Sequence, residues 1–157
     1  TGFEVSSAGV GAVVGAPMHE WSRAELAPWN LHGAAAEPFV ARQLRPAMVG
    51  QVDLVLGLGT RHRDTIVGHD PAALATTFSL REFARLAGDV DGLPDEPVDR
   101  AHALVAQVRA RRDSTPPVAP DVDAVPDPIG GPPQAHHVAA QLIQQAVTTI
   151  VEVIARR

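Results

Sequence analysis

The residues best suited to chemistry lie in the segment 125–131, Val-Pro-Asp-Pro-Ile-Gly-Gly, just before the last helical pattern of this 157-residue chain. The proline after Asp127 favours an extended backbone at the aspartate, and Gly130 and Gly131 let the chain turn sharply. Such a loop can hold a carboxyl group over a neighbouring site, where it can protonate a leaving oxygen. The alternative, and the commoner use of an Asp-Pro pair, is a simple turn.

The chain contains no cysteine. A thiol nucleophile, a disulfide and a thiolate metal site are therefore excluded within these residues. A histidine metal site is not indicated either, because the adjacent His136 and His137 would point to different faces of a helix, and His62 and His69 lack the spacing of a helical ligand pair. We expect solvated histidines, no metal and no cofactor.

Composition limits the partners. The net charge is −5, which repels a phosphate backbone, so we expect no nucleic-acid partner. Arg61, Arg63 and Arg81 are interpreted as solvated or ion-paired rather than as anion ligands. There is no run of 18 apolar residues and no signal-peptide pattern, which predicts a cytoplasmic protein without a membrane span. The composition does not indicate an oligomeric state.

Strands alternate with helices along the chain. The predicted strands are residues 3–7, 53–58 and 76–78, and the continuous apolar run of the second predicts a strand buried on both faces. The predicted helices and helical turns cover residues 20–31, 45–51, 61–67, 71–74, 80–87, 98–112 and 138–154. This alternation predicts one α/β domain over residues 1–157 with a parallel sheet, of which three strands are visible.

Several boundaries have local signals. Thr60 and Asp70 are predicted to cap the helical segments that follow them. Ser79, with Glu82 three residues later, has the spacing of a reciprocal capping box. Pro28 must strain or end the helix predicted over residues 20–31.

The order of short motifs in this chain resembles the low-molecular-weight protein tyrosine phosphatase family. In chain order the motifs are Ser7-Ala8-Gly9, Gly15-Ala16-Pro17, Ala41-Arg42-Gln43-Leu44, Asp53-Leu54-Val55-Leu56, Leu80-Arg81-Glu82-Phe83 and Asp127-Pro128 with Gly130-Gly131. Their order and spacing carry the resemblance, which extends from residue 3 to the C-terminal helix.

The resemblance implies a three-layer fold, with a four-stranded parallel sheet and helices on both of its faces. It implies that Asp127 is the general acid, which protonates the leaving phenol and then helps to activate water. Ser7 matches a serine that supports the phosphate loop. Ile129 falls where many members carry an aromatic residue against the substrate ring, and Ala12 and Val13 lie in the other loop that walls the pocket.

The family's first strand, its Cys/Arg phosphate loop and its first helix have no counterpart here, and we expect them upstream of Thr1. Residues 88–124 form an extended loop and helix segment relative to many members. The implied function is hydrolysis of phosphotyrosine or related aryl phosphate monoesters through a cysteinyl-phosphate intermediate, on a phosphorylated protein or a small aryl phosphate. The alternatives are an inactive binding or regulatory protein and an arsenate reductase, which needs additional thiols.

Overall fold

A computed structural model describes residues 2–156, so Thr1 and Arg157, the two ends of the predicted domain, lie outside the described residues. The elements in chain order are α1 (Glu20–Ala24), α2 (Pro46–Val49), β1 (Val55–Gly57), α3 (Thr60–His69), β2 (Thr77–Ser79), α4 (Leu80–Ala87), α5 (Pro97–Ser114) and α6 (Pro133–Ala155). Two 3₁₀ turns, Ala27–Trp29 and Pro71–Ala75, complete them. The protein is therefore an α/β protein, as predicted.

The sheet has two parallel strands within residues 2–156, with Leu56 of β1 opposite Phe78 of β2. The strand predicted over residues 3–7 is wrong: this segment has no strand partner there, and the side chain of Val5 is 92% exposed. Only Gly9 forms an isolated parallel bridge, with Gln43. A β-prone sequence forms a strand only when a neighbouring backbone is in place to pair with it.

β1 is shorter than predicted and is not buried on both faces. Leu56, at its centre, is 36% exposed, whereas Phe78 beside it in β2 is fully buried. Val55 donates its amide to Thr76. Successive residues of a strand direct their backbone groups to opposite edges. The backbone N–H and C=O groups of Leu56 therefore point to the edge away from β2. The apolar run thus belongs to an edge strand in the described structure.

The helix predicted over residues 20–31 is divided. α1 ends after Ala24, a separate 3₁₀ turn contains Pro28, and Asn30 has a left-handed φ of 57°. Proline cannot continue an α-helix because it lacks the amide donor and its ring clashes with the preceding turn. The cap predicted at Thr60 is also wrong: Thr60 is the first residue of α3 and Gly59 precedes it as the cap.

The main core lies where β2, α4, α5 and α6 meet. Phe78 and Phe83 pack edge to face with ring centroids 5.2 Å apart, an arrangement that aromatic rings favour. Leu104 and Val108 of α5 are fully buried in the same cluster. The extended segment 88–124 therefore contributes its helix to the core that α4 and α6 share.

α6 presents part of its apolar surface to this core. Ala146, Ile150 and Val153 are buried, but Val138 and Val147 are exposed. The 23-residue helix is long and apolar enough to cross a membrane by length and composition alone, although in this structure it packs against α1, α4 and α5. The core helix of a globular protein can meet the same requirements of length and composition, so one such helix is weak evidence for a membrane span.

Candidate active site

The acid loop, residues 123–131, carries Asp127 on an exposed turn. Asp127 Oδ1 accepts a hydrogen bond from the amide of Ile129 at 3.0 Å, and the amide of Gly131 donates to the carbonyl of Pro128 at 2.9 Å. Gly130 has a φ of 81°, a conformation that glycine adopts at little cost. The predicted sharp turn is present, and Ile129 at its tip is 64% exposed.

One backbone hydrogen bond fixes where this loop lies. The amide of Val125 donates to the carbonyl of Leu58 at 2.7 Å. Leu58 follows the last residue of β1, and α3 begins two residues later. The loop therefore leaves the carboxyl end of the sheet, beside the start of α3, which is the region where open α/β sheets usually bind their ligands.

Two arginines of α4 hold the first residues of the acid loop. Arg85 makes a two-point ion pair with the buried carboxylate of Asp123, at 3.1 Å from Nε to Oδ1 and 2.7 Å from Nη2 to Oδ2. Hydrogen bonding to Asp123 raises the pKa of Arg85, against the opposing effect of burial. Arg81 Nη1 donates to the carbonyl of Ala124 at 2.8 Å. Arg81 thus bonds to the acid loop, a role that its interpretation as solvated or ion-paired did not include.

The other end of the loop is held through the first turns of α6. His136 is 98% buried (2% exposed), and its Nδ1 shares a hydrogen bond with Ser22 Oγ at 2.8 Å. Its ring stacks on His19 with centroids 4.6 Å apart. His137 Nδ1 lies 2.9 Å from Glu25 Oε2. The expectation of solvated histidines is therefore wrong for His136, which anchors α6 to α1.

Ala12 and Val13, which are predicted to wall the pocket, lie on a second loop that contains residues 10–15. Its backbone is joined to residues 41–44: Gly15 donates to Ala41, and the side chain of Gln43 bonds both to the amide of Ala12 and to the carbonyl of Val10. Val13 is exposed. Gln43 therefore sets the shape of this loop.

Ser7 is exposed, and the hydrogen bond it makes uses its carbonyl, which accepts from Arg42 Nε. Within residues 2–156 its hydroxyl has no bond to any residue of the acid loop. Support of a phosphate loop by Ser7 stays a prediction.

The two loops meet α3 at different ends. The acid loop bonds to Leu58, just before α3, whereas Val10 borders a cavity of about 50 Å³ together with Ile66 and His69 in the last turns of α3. A ten-residue helix is about 15 Å long. In the described part of the chain no hydrogen bond joins the two loops, so a single pocket formed by both stays a prediction.

Sequence reasoning missed Arg85 and Asp123. They are 38 residues apart along the chain, and neither belongs to a recognisable motif. Metal binding was not predicted, and among residues 2–156 no group of three or more His, Asp or Glu side chains could hold a metal ion.

Comparison with known proteins assigns the family. The family model for low molecular weight phosphotyrosine protein phosphatase matches residues 1–116. This is well over half of the chain, so the chain belongs to that family and has a phosphatase-like α/β fold. No curated protein matches the chain, and no solved structure matches it. Asp127 lies beyond the matched residues.

Proposed function

We propose that this chain provides the general acid and the scaffold of a phosphatase that hydrolyses phosphotyrosine or related aryl phosphate monoesters. In this proposal a cysteine upstream of Thr1 attacks phosphorus, and Asp127 protonates the leaving phenolate oxygen. Asp127 then takes a proton from the water that cleaves the cysteinyl phosphate. The observation that carries the proposal is family membership combined with an exposed aspartate at the carboxyl end of the sheet.

The chemistry explains why an acid is needed. A phenol has a pKa near 10, so its anion is a poor leaving group unless a proton arrives as the P–O bond breaks. Asp127 has no salt-bridge partner within the described residues, and its one hydrogen bond there uses Oδ1 alone. A hydrogen-bonding position of the carboxyl group is therefore open to a substrate.

The sheet edge supports an upstream strand. The backbone N–H and C=O groups of Leu56 point to the edge of β1 away from β2, and within residues 2–156 no strand lies along that edge. Unpaired backbone N–H and C=O groups at a sheet edge can pair with a further strand. In the proposal, a strand pairs with this edge and delivers the nucleophile to the carboxyl end, next to the Val125–Leu58 contact.

The remaining roles follow the family pattern. Ile129, Ala12 and Val13 contact the substrate's aryl group, and Ser7 supports the phosphate loop. Ile129 provides a smaller apolar surface than an aromatic side chain, which favours aryl phosphates in general over phosphotyrosine alone. The substrate is a phosphorylated protein or a small aryl phosphate, the enzyme needs no cofactor, and it acts in the cytoplasm.

The test uses the parent polypeptide with its upstream residues. Incubation with phenyl phosphate, followed by acid quenching and mass spectrometry, should reveal one phosphoryl group on a cysteine upstream of Thr1. Phosphate release should be lost when that cysteine is replaced by serine. A parent sequence without an upstream Cys, five residues and Arg, or turnover without covalent phosphate, would contradict the proposal.

A second candidate is a non-catalytic relative that binds a partner. The complete absence of cysteine in these 157 residues favours it. If the parent polypeptide retains phosphotyrosine peptides without hydrolysing them, this candidate replaces the first.

A further inference from the structure

Three consecutive residues at the start of the acid loop are each fixed to the body of the protein. The carboxylate of Asp123 is held by Arg85, the carbonyl of Ala124 by Arg81, and the amide of Val125 by the carbonyl of Leu58. These contacts come from α4 on one side and from the end of β1 on the other. The path of the backbone into Asp127 is thus set from two directions.

Ser79, the N-cap residue of α4, adds a fourth contact to the acid loop. Ser79 Oγ donates to the carbonyl of Asp123 at 3.0 Å and accepts the amide of Glu82 at 3.3 Å. Ser79, Glu82 and Asp123 are all buried. Helix capping and loop anchoring therefore share one hydroxyl group, so the loop is aligned with the first turn of α4.

Asp127 itself has no such support. It is exposed, and its hydrogen bond to the amide of Ile129 lies within its own turn. Its position depends on the two segments that flank the turn, residues 123–125 on one side and the start of α6 on the other, because a turn that is bonded only to itself moves with the segments that carry it. Catalysis by a positioned acid is sensitive to displacements of about 1 Å.

The two arginines have different parts in this anchor. Arg85 neutralises a buried carboxylate, and its planar two-point geometry fixes the direction of Asp123 as well as its charge. Arg81 binds a carbonyl and has no carboxylate within 4.0 Å among the described residues. Replacing Arg81 therefore leaves no buried charge unpaired, which makes it the milder change.

We propose that Arg81 and Arg85 are positioning residues that hold the acid loop so that Asp127 reaches the leaving oxygen. This inference rests on the proposed function. Neither arginine contacts the substrate in this proposal; Arg85 acts through the carboxylate of Asp123 and Arg81 through the carbonyl of Ala124. Their removal should impair the acid step and leave substrate binding unchanged.

The first experiment does not need catalysis. Amide hydrogen exchange at Val125 and Ile129 is compared among the unmodified protein, Arg81→Gln, Arg85→Lys and the control Arg109→Gln, which alters an exposed arginine of α5. Losing one or two of these hydrogen bonds should speed exchange at the Val125 amide by about tenfold, whereas the Ile129 amide, which is bonded within its own turn, should change little and serves as an internal reference. Exchange rates in both loop variants equal to those of Arg109→Gln would overturn the anchoring role.

The second experiment uses the complete phosphatase. With phenyl phosphate, Arg81→Gln and Arg85→Lys should lower kcat by about tenfold at unchanged KM, whereas turnover of an aryl phosphate with a good leaving group should stay near that of the unmodified enzyme. In an Asp127→Asn background neither substitution should cause a further loss. Equal losses on both substrates, or full additivity with Asp127→Asn, would overturn the positioning role.

The two experiments separate the claims. If the complete protein is inactive, the proposed function fails and the positioning of an acid fails with it, while the exchange rates still decide whether the arginines anchor the loop. If the protein is active but exchange is unchanged, the proposed function stands and the inference about Arg81 and Arg85 is wrong.

Discussion

The amide nitrogen of Val125 lies 2.7 Å from the carbonyl oxygen of Leu58, and this contact joins the loop before α6 to the end of β1. Residues that are 67 positions apart in sequence are thus brought to the carboxyl end of the sheet (125 − 58 = 67). Parallel strands and the helices that follow them converge there. Asp127, two residues after Val125, is carried to the same end of the sheet.

Ser79→Ala should destabilise the protein by about 2 kcal/mol, because it removes a helix cap and the donor to a buried carbonyl together. Asp70→Ala removes a cap whose one side-chain hydrogen bond within residues 2–156, from the amide of Ala72 at 3.0 Å, is solvent-exposed, and it should cost less than about 1 kcal/mol. Urea unfolding of both variants measures the difference. Equal costs would mean that the Ser79–Asp123 bond contributes nothing.

Local signals predicted two of the three caps correctly, those at Ser79 and Asp70 but not the one at Thr60. The Ser79–Glu82 capping box and the Asp70 cap are present, and the helical segment predicted over residues 45–51 is present as Pro46–Val49. Each depends on residues within about four positions of one another, so the sequence contains the whole interaction. The helix boundary at Gly88 was predicted for the same reason.

Features that depend on distant chain segments were predicted less well. Residues 3–7 have a strand-like sequence but no strand partner within the described chain, β1 has a neighbouring strand on one edge only, and Leu56 at its centre is exposed. The turn at Asp127 could be predicted from its proline and glycines. Its anchor could not, because the Arg85–Asp123 pair joins two elements with no shared local pattern.

Gly130→Ala should destabilise the acid loop by about 1 kcal/mol, since a φ of 81° places a Cβ in the disfavoured left-handed region. Gly68→Ala is the matched control: it lies in α3 with no atom within 4 Å of the added Cβ. This change should stabilise by about 0.5–1 kcal/mol through helix propensity. Thermal unfolding of the two variants should therefore shift in opposite directions, and shifts of the same sign would contradict the assigned turn.

Arg112→Lys should destabilise by about 1–2 kcal/mol. The guanidinium lies 4.3 Å from the ring centroid of Phe78 and donates to the carbonyls of Thr77 and Leu74 at 2.9 and 2.8 Å. Lysine keeps the charge but loses the planar fork that makes both bonds while stacking on the ring. Arg109→Lys, at an exposed position of the same helix, should change the free energy of unfolding by less than about 0.5 kcal/mol. Equal effects in urea unfolding would show that the fork is dispensable.

Asp127→Asn should separate catalysis from folding in the complete phosphatase. Asparagine keeps an oxygen that accepts the amide of Ile129, so the turn and the free energy of unfolding should be nearly unchanged. The proton donor is lost, and kcat for phenyl phosphate should fall by about 10²–10⁴-fold. The leaving group of a more activated aryl phosphate needs little protonation, so kcat for that substrate should fall far less. Asp121→Asn, an exposed aspartate just before the acid loop, is the control and should turn over both substrates normally. Because the acid matters only where the leaving oxygen is basic, equal losses on the two substrates would assign Asp127 a role other than general acid.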